Sequence, residues 1–162
     1  MDTFDWTQFA QKVAIKAEMQ DIYNAWAKPN DIEKWFLETA NYKNTKDQDV
    51  AKDQLVQAGD TYIWTWYLYD GNGTGEIKAA NGTDHIQFTF ADSIVEINLS
   101  QLDDHVIVDL TQKDIPTDNA SKRGIRLGCH TGWSFFMIAL KSFYENGIDL
   151  RNKDKRFSGS VN

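Results

Sequence analysis

The chain has one cysteine, Cys129, so no disulfide can close within it, and a disulfide-stapled secreted scaffold is excluded. Only two prolines occur in 162 residues, which removes any proline-rich linker or polyproline segment. Basic charge is also scarce: 17 lysines and arginines face 24 acids, a formal charge of -7. That balance leaves no surplus to neutralise phosphates, so nucleic acid is not expected as a partner. The clustered bases Lys122, Arg123 and Arg126, and later Arg151, Lys153, Lys155 and Arg156, flank the last long helical pattern and read as solvated ends. No run approaches the ~18 apolar residues of a membrane span, and the opening residues lack the basic and apolar regions of a secretory leader. A cytoplasmic protein without membrane insertion is expected.

Aromatics are plentiful. Six tryptophans, six tyrosines and nine phenylalanines sit in a chain whose 41% hydrophobic and 25% charged residues are those of an ordinary folded domain. Residues 9–17 alternate, with Val13 and Ile15 on one face and Lys12 and Lys16 on the other, which predicts a half-buried strand. Met19, Ile22, Tyr23 and Trp26 then fall at helical spacing, and Pro29 opens a second short helix carrying Ile32, Trp35 and Phe36. Residues 37–58 are mostly polar and read as a surface hairpin, with a short strand open at 39–42. Strands are expected at 60–69, 75–80, 85–90, 94–102 and 106–112. The turns between them carry Asp70-Gly71-Asn72-Gly73, Asn81-Gly82 and Asp103-Asp104, residues that tolerate positive φ. Consecutive hairpins imply an antiparallel meander.

After Thr117, Asp118 and Asn119, any of which can cap a helix, a pattern runs from about Lys122 to Asn146 and stops at Gly147. Such a helix is roughly 37 Å long. Cys129, Trp133, Phe136, Met137, Leu140, Phe143 and Tyr144 make one wide apolar stripe that must lie on the sheet. The order is α+β: one strand, two short helices, a meander of six or seven strands in all, and one long C-terminal helix. A single domain is expected over 1–162, with its core at about 9–152 and a short flexible tail.

Most chemical motifs dissolve on inspection. Gly71-Asn72-Gly73-Thr74-Gly75 opens a strand and not a helix, so it reads as a turn and not a phosphate cradle. His85, His105 and His130 lie too far apart for a recognisable metal pattern; no metal and no cofactor are expected. Cys129 and His130 are neighbours on a helix and point about 100° apart, which argues against a nucleophile and base pair and reads Cys129 as a small core residue. Glu76, Glu96 and Asp109 fall on the solvent faces of their strands, and catalytic residues are therefore not assigned.

Two features stay open. Gly124, Gly128 and Gly132 recur every four residues along one side of the long helix, where each lowers helix propensity by about 1 kcal/mol. Either the first turns are irregular, or the bare strip leaves room for the sheet or for a bound molecule. Tyr62, Trp64 and Trp66 alternate on one strand and Phe88 and Phe90 on another, which is first the pattern of a large aromatic core and also that of a pocket wall.

The element order and several strings resemble the START-like, helix-grip superfamily, and within it the family of homologues of the activator of the heat-shock protein 90 ATPase. The most specific strings are Gly132-Trp133-Ser134-Phe135-Phe136, Leu140-Lys141 and Asp149-Leu150-Arg151-Asn152. Residues 31–36, 59–66, 88–90 and 112–116 support them. The resemblance implies a curved antiparallel sheet gripping the C-terminal helix, with a cavity between them. It does not imply chaperone activation, since the eukaryotic co-chaperone has a separate N-terminal domain with no counterpart expected here. The expected function is therefore binding of a small hydrophobic or aromatic molecule, lined by Trp35, Tyr62, Trp64, Trp66, Phe88, Phe90, Trp133, Met137 and Leu140, with Gln112 as the clearest inward polar residue. A module docking a chaperone or other protein is the alternative, and a cyclase- or hydratase-type enzyme a third.

Overall fold

A computed structural model describes residues 3–162. Seven strands form one antiparallel sheet: β1 (Phe9–Ile15), β2 (Thr39–Lys43), β3 (Thr61–Thr65), β4 (Gly73–Ala80), β5 (His85–Phe90), β6 (Ser93–Leu102) and β7 (His105–Lys113). They pair in the order β1-β7-β6-β5-β4-β3-β2, so β2 to β7 are a meander and β1 joins beside β7. Alternation sets which face is buried. In β7, Val106, Val108, Leu110 and Gln112 point inward, each followed by a partly exposed residue. Register between β4 and β5 shifts at Ile77/Ala79, an irregularity of the kind that bends a sheet.

Helix α1 (Met19–Ala27) follows β1, and α2 (Pro29–Ile32) starts on a proline whose missing N–H is no loss at a first helical position. Asp118 caps the C-terminal helical run, its Oδ1 accepting from Ser121 N at 3.0 Å. The run is not uniform. One turn of α3 (Asn119–Ser121) passes into a π-helical segment over Lys122–Leu127, and only then into the regular α4 (Gly128–Asn146). Gly147 ends it in the left-handed region at φ 68°, with its N–H on the Phe143 carbonyl.

Helix α4 buries Trp133, Phe136, Met137, Ala139 and Leu140 against the concave side of the sheet. Its flank is pinned to the edge strand β1. Gln11 Nε2 donates to His130 O and Ser134 Oγ, both at 2.8 Å; Lys141 Nζ donates to Ala14 O at 2.6 Å; and Lys16 N donates to Glu145 Oε1 at 2.9 Å. The helix thus also shields that edge from pairing with another chain.

Two expectations change in detail. The strand expected at 60–69 ends at Thr65, and Trp66 belongs to the β3–β4 connection, because β4 begins opposite Trp64 at Gly73 and β2 begins opposite Thr65 at Thr39, so neither neighbour offers a partner past Thr65. The bases read as solvated ends are not all so: Arg126 and Arg151 are buried, and Arg151 donates to Leu37 O at 2.8 Å and Glu33 O at 2.9 Å. Beyond it Asn162 Oδ1 accepts from Asn152 N, and Asn162 Nδ2 donates to Tyr67 O at 3.3 Å. Amide and guanidinium groups anchor there what hydrophobic periodicity does not reveal.

Candidate functional site

The main apolar opening lies where the π-helical segment meets α4. It is a cleft of about 270 Å³, lined by Phe36, Trp66, Tyr69, Phe90, Trp133 and Phe136, with Cys129 and the strip Gly124, Gly128 and Gly132 opposite. The glycines leave real space. A Cβ at Gly124 or Gly132 meets nothing within 4 Å, and one at Gly128 meets only the Arg123 carbonyl at 3.5 Å. Low helix propensity at 124 and 128 also suits the wider π turn, a form found often at functional sites. Both open readings of the glycine repeat, irregular first turns and a bare strip, therefore describe the same stretch of helix.

The aromatic wall is mutually braced. Phe36 stacks on Trp133 with centroids 5.0 Å apart and meets Phe136 edge-on at 4.8 Å; Phe90 lies 5.4 Å from Trp133 and 6.3 Å from Trp66. Trp66 is seated by Gly73, where a Cβ would come within 2.8 Å of its Cη2. Trp133 is fixed by a buried polar chain: its Nε1 donates to Gln112 Oε1 at 2.9 Å, Gln112 Nε2 donates to Ser93 Oγ at 2.7 Å, and Ser93 Oγ donates to Phe90 O at 2.6 Å. The indole N–H is consumed inside, so the polar handle of this ring is spent on the core. Burial pushes the Cys129 thiol upward, partly opposed by a hydrogen bond with Gln112, and the group stays a neutral thiol at neutral pH.

Three of the ten residues expected at the cavity, Trp66, Phe90 and Trp133, line this cleft. The other seven do not. Trp35, Tyr62, Trp64, Phe88, Met137 and Leu140 are buried in the core. Trp35 Nε1 donates to Ala25 O at 2.9 Å, Trp64 Nε1 to Tyr42 OH at 3.1 Å, and Tyr62 OH to Thr89 O at 2.5 Å. Their polar atoms find protein partners and their rings fill the space, so no surface is left to offer. Gln112 is inward as expected, but it acts on the cleft through Trp133. Phe36, Tyr69 and Phe136 were not foreseen as lining. Phe136 was legible on the helix stripe and Phe36 on the short-helix pattern, whereas nothing local marked Tyr69.

The remaining chemistry is scattered. His85 contacts Asn98 at 2.8 Å, His105 contacts Asp104 at 2.7 Å, and His130 meets the Phe9 ring at 5.1 Å. Among the described residues, no group of three or more His, Cys, Asp or Glu is placed to hold a metal ion, and no helix is long and apolar enough to cross a membrane. A second hollow of about 410 Å³ at the β5–β6 turn is open and of mixed lining, Thr74, Asp92, Ser93 and Asp114 beside Phe90, Ala91 and Ile94, and has no such aromatic wall.

A curved antiparallel sheet gripping a long C-terminal helix, with an aromatic cleft at the helix's first turns, defines a START-like helix-grip protein. The chain belongs to the family of Activator of Hsp90 ATPase homolog 1-like proteins, whose model matches residues 16–145. No curated protein matches it in sequence. Among solved structures it is similar to a Staphylococcus saprophyticus protein, at 19% identity and a TM-score of 0.71, over 89% of this chain and 96% of that one. It is also similar to the Aha1 dimer from Colwellia psychrerythraea, at 16% identity and a TM-score of 0.65, over 86% and 97%. A protein of the dynemicin biosynthetic locus matches at 14% identity and a TM-score of 0.68, over 91% of this chain and 50% of that one. At such identities the likeness carries the fold alone.

Proposed function

We propose that the chain binds a small, mainly apolar molecule in the cleft between the glycine strip and the aromatic wall. One observation carries this reading: in a core otherwise filled by interlocked rings, the helix presents three glycines to open space beside Phe36, Phe90, Trp133 and Phe136. Filling that space with alanine side chains would favour the helix, so the strip is retained at a cost in stability that a ligand site would explain.

A cavity of about 150 Å³ suffices for benzene, and a cleft of about 270 Å³ that opens to the surface gives room for a compound of two to three rings. At about 0.5 kcal/mol per non-hydrogen atom, a ligand of about twelve to seventeen such atoms binds with a Kd of order 10⁻⁴ to 10⁻⁶ M. Apolar burial supplies most of it, since the lining offers no charged group.

The test combines native mass spectrometry of protein purified from its own host with titration of N-phenyl-1-naphthylamine. A retained small molecule, or saturable quenching of Trp66 and Trp133 that is lost in Gly132→Leu, is the expected outcome. Absence of any adduct together with no saturable fluorescence change would overturn the reading.

A further inference from the structure

One wall of the cleft is unlike the rest. Tyr69 lines its mouth yet remains 62% exposed, whereas Phe36, Trp133 and Phe136 are buried. It sits on the β3–β4 connection, beyond the last pair between those strands, Trp64 with Gly73. The residue before it, Leu68, holds φ at +66°, in the left-handed region that a branched, bulky side chain rarely adopts. Strain of this kind gathers at clamps and switches.

The connection is firmly posted on both sides of this point. Tyr67 lies beneath Arg151 and Lys153, 5.2 Å and 5.0 Å from its ring, and its carbonyl accepts from Asn162. On the far side Gly73 rejoins the sheet under the Trp66 indole. Between these posts Gly71, at φ +90°, has nothing within 4 Å of its Cβ position, and Tyr69 N makes only a long 3.4 Å contact with Trp66 O. A strained residue, an exposed ring and an unsupported glycine thus lie in sequence between two fixed ends.

We propose that residues 68–72 are a lid on the cleft, hinged at Leu68, which lays the Tyr69 ring over a bound apolar molecule and sets how long it stays. This rests on the reading that the cleft binds such a molecule. The Tyr69 ring, 62% exposed at the mouth, has apolar area left to bury. A bound molecule gives that area a partner and turns Tyr69 from solvent-exposed to sandwiched. The ring does this work, not the hydroxyl, so Phe serves in its place.

Stopped-flow binding of N-phenyl-1-naphthylamine to the full chain separates the possibilities. In Tyr69→Ala the dissociation rate should rise roughly tenfold, the order of one aromatic contact, with the association rate changed by less than about twofold. Tyr69→Phe should behave as the unaltered chain. Leu68→Gly, which accepts the same φ without strain and so keeps the fold, should speed association and dissociation together and leave Kd within about threefold. An unchanged dissociation rate in Tyr69→Ala sinks the lid while the cleft reading stands. A Tyr69→Ala effect without any Leu68→Gly effect makes Tyr69 a fixed rim and sinks the hinge. If the unaltered chain does not bind the compound at all, the cleft reading fails and the lid with it.

Discussion

Two aromatic regions meet in this molecule, and they differ in what faces them. Around Trp26, Trp35, Tyr42, Tyr62, Trp64 and Phe88, rings oppose rings: Tyr62 stacks on Trp64 at 3.8 Å, Trp26 meets Trp35 edge-on at 4.7 Å, and Trp64 meets Phe88 at 5.4 Å. Burial holds both phenols well above the ordinary tyrosine range, so they act as neutral hydrogen-bonding groups. Around Phe36, Trp66, Phe90 and Trp133, rings oppose glycine, and the same alternation of aromatics leaves a cleft. Aromatic richness alone therefore does not make a pocket; the residue across the gap decides.

The sharpest way to break the contrast is to truncate one tryptophan in each region. Trp64→Ala should lose about 3–5 kcal/mol in urea unfolding, because a fully buried indole leaves a cavity that rigid neighbours cannot close. Trp66→Ala should lose only about 1–2 kcal/mol, as its ring already borders open space, yet it should abolish most binding of N-phenyl-1-naphthylamine. Equal losses from the two would show that the cleft is merely loosely packed core.

How much of this was legible in the chain follows from the same contrast. Period-2 alternation and Asn-Gly or Asp-Gly turns gave β5, β6 and β7 nearly to the residue, and the 3.6-residue stripe placed α4, because these patterns are local. Tyr62, Trp64 and Trp66 share one strand pattern, however, and only the early end of β3 at Thr65 sends Trp66 to the cleft while Trp64 stays in the core. That end is fixed by strand pairing across a hairpin, which periodicity does not encode. The glycine repeat was visible, but which side of the helix it would face depended on the π turn. Arg151 was visible as a charge expected in solvent and as part of the Asp149–Asn152 string; its burial under the carbonyls of Leu37 and Glu33 is a long-range event.

That arginine ties the two regions together, and acid is the way to test it. Arg151 grips the segment that carries Trp35 into the filled core and Phe36 into the cleft wall, and Asp149 holds its guanidinium at 2.8 Å. Burial alone would raise the Asp149 carboxyl, but hydrogen bonds from the Arg151 side chain and backbone and from Lys153 outweigh it and bring it down to about 2. The folded value lies below the unfolded one. Its contribution is therefore complete above about pH 5 and is lost as pH falls from there towards about 2. Partial exposure screens the pair, so a loss of about 1 kcal/mol is expected. Melting curves between pH 6 and pH 2.5 should show it, and Asp149→Asn should flatten that part of the profile. An unchanged slope in the variant would remove Asp149 from the account.

The smallest effect has the opposite sign. Gly132→Ala places a methyl group where nothing lies within 4 Å, on a helix where alanine is preferred over glycine, so it should stabilise the chain by about 0.5–1 kcal/mol. The corresponding change in the filled region must fail, since a Cβ at Gly75 would come within 2.5 Å of the Tyr62 ring and 2.6 Å of Thr89 Oγ1. Two glycines, both facing aromatic regions, should thus respond in opposite directions to the same added atom. A methyl group at 132 narrows the cleft without closing it, so binding of N-phenyl-1-naphthylamine should weaken by only a few-fold while the melting temperature rises. Destabilisation by Gly132→Ala would mean that the strip is packed against something in solution and that the cleft is closed, which would turn the contrast between the two regions into a difference of degree.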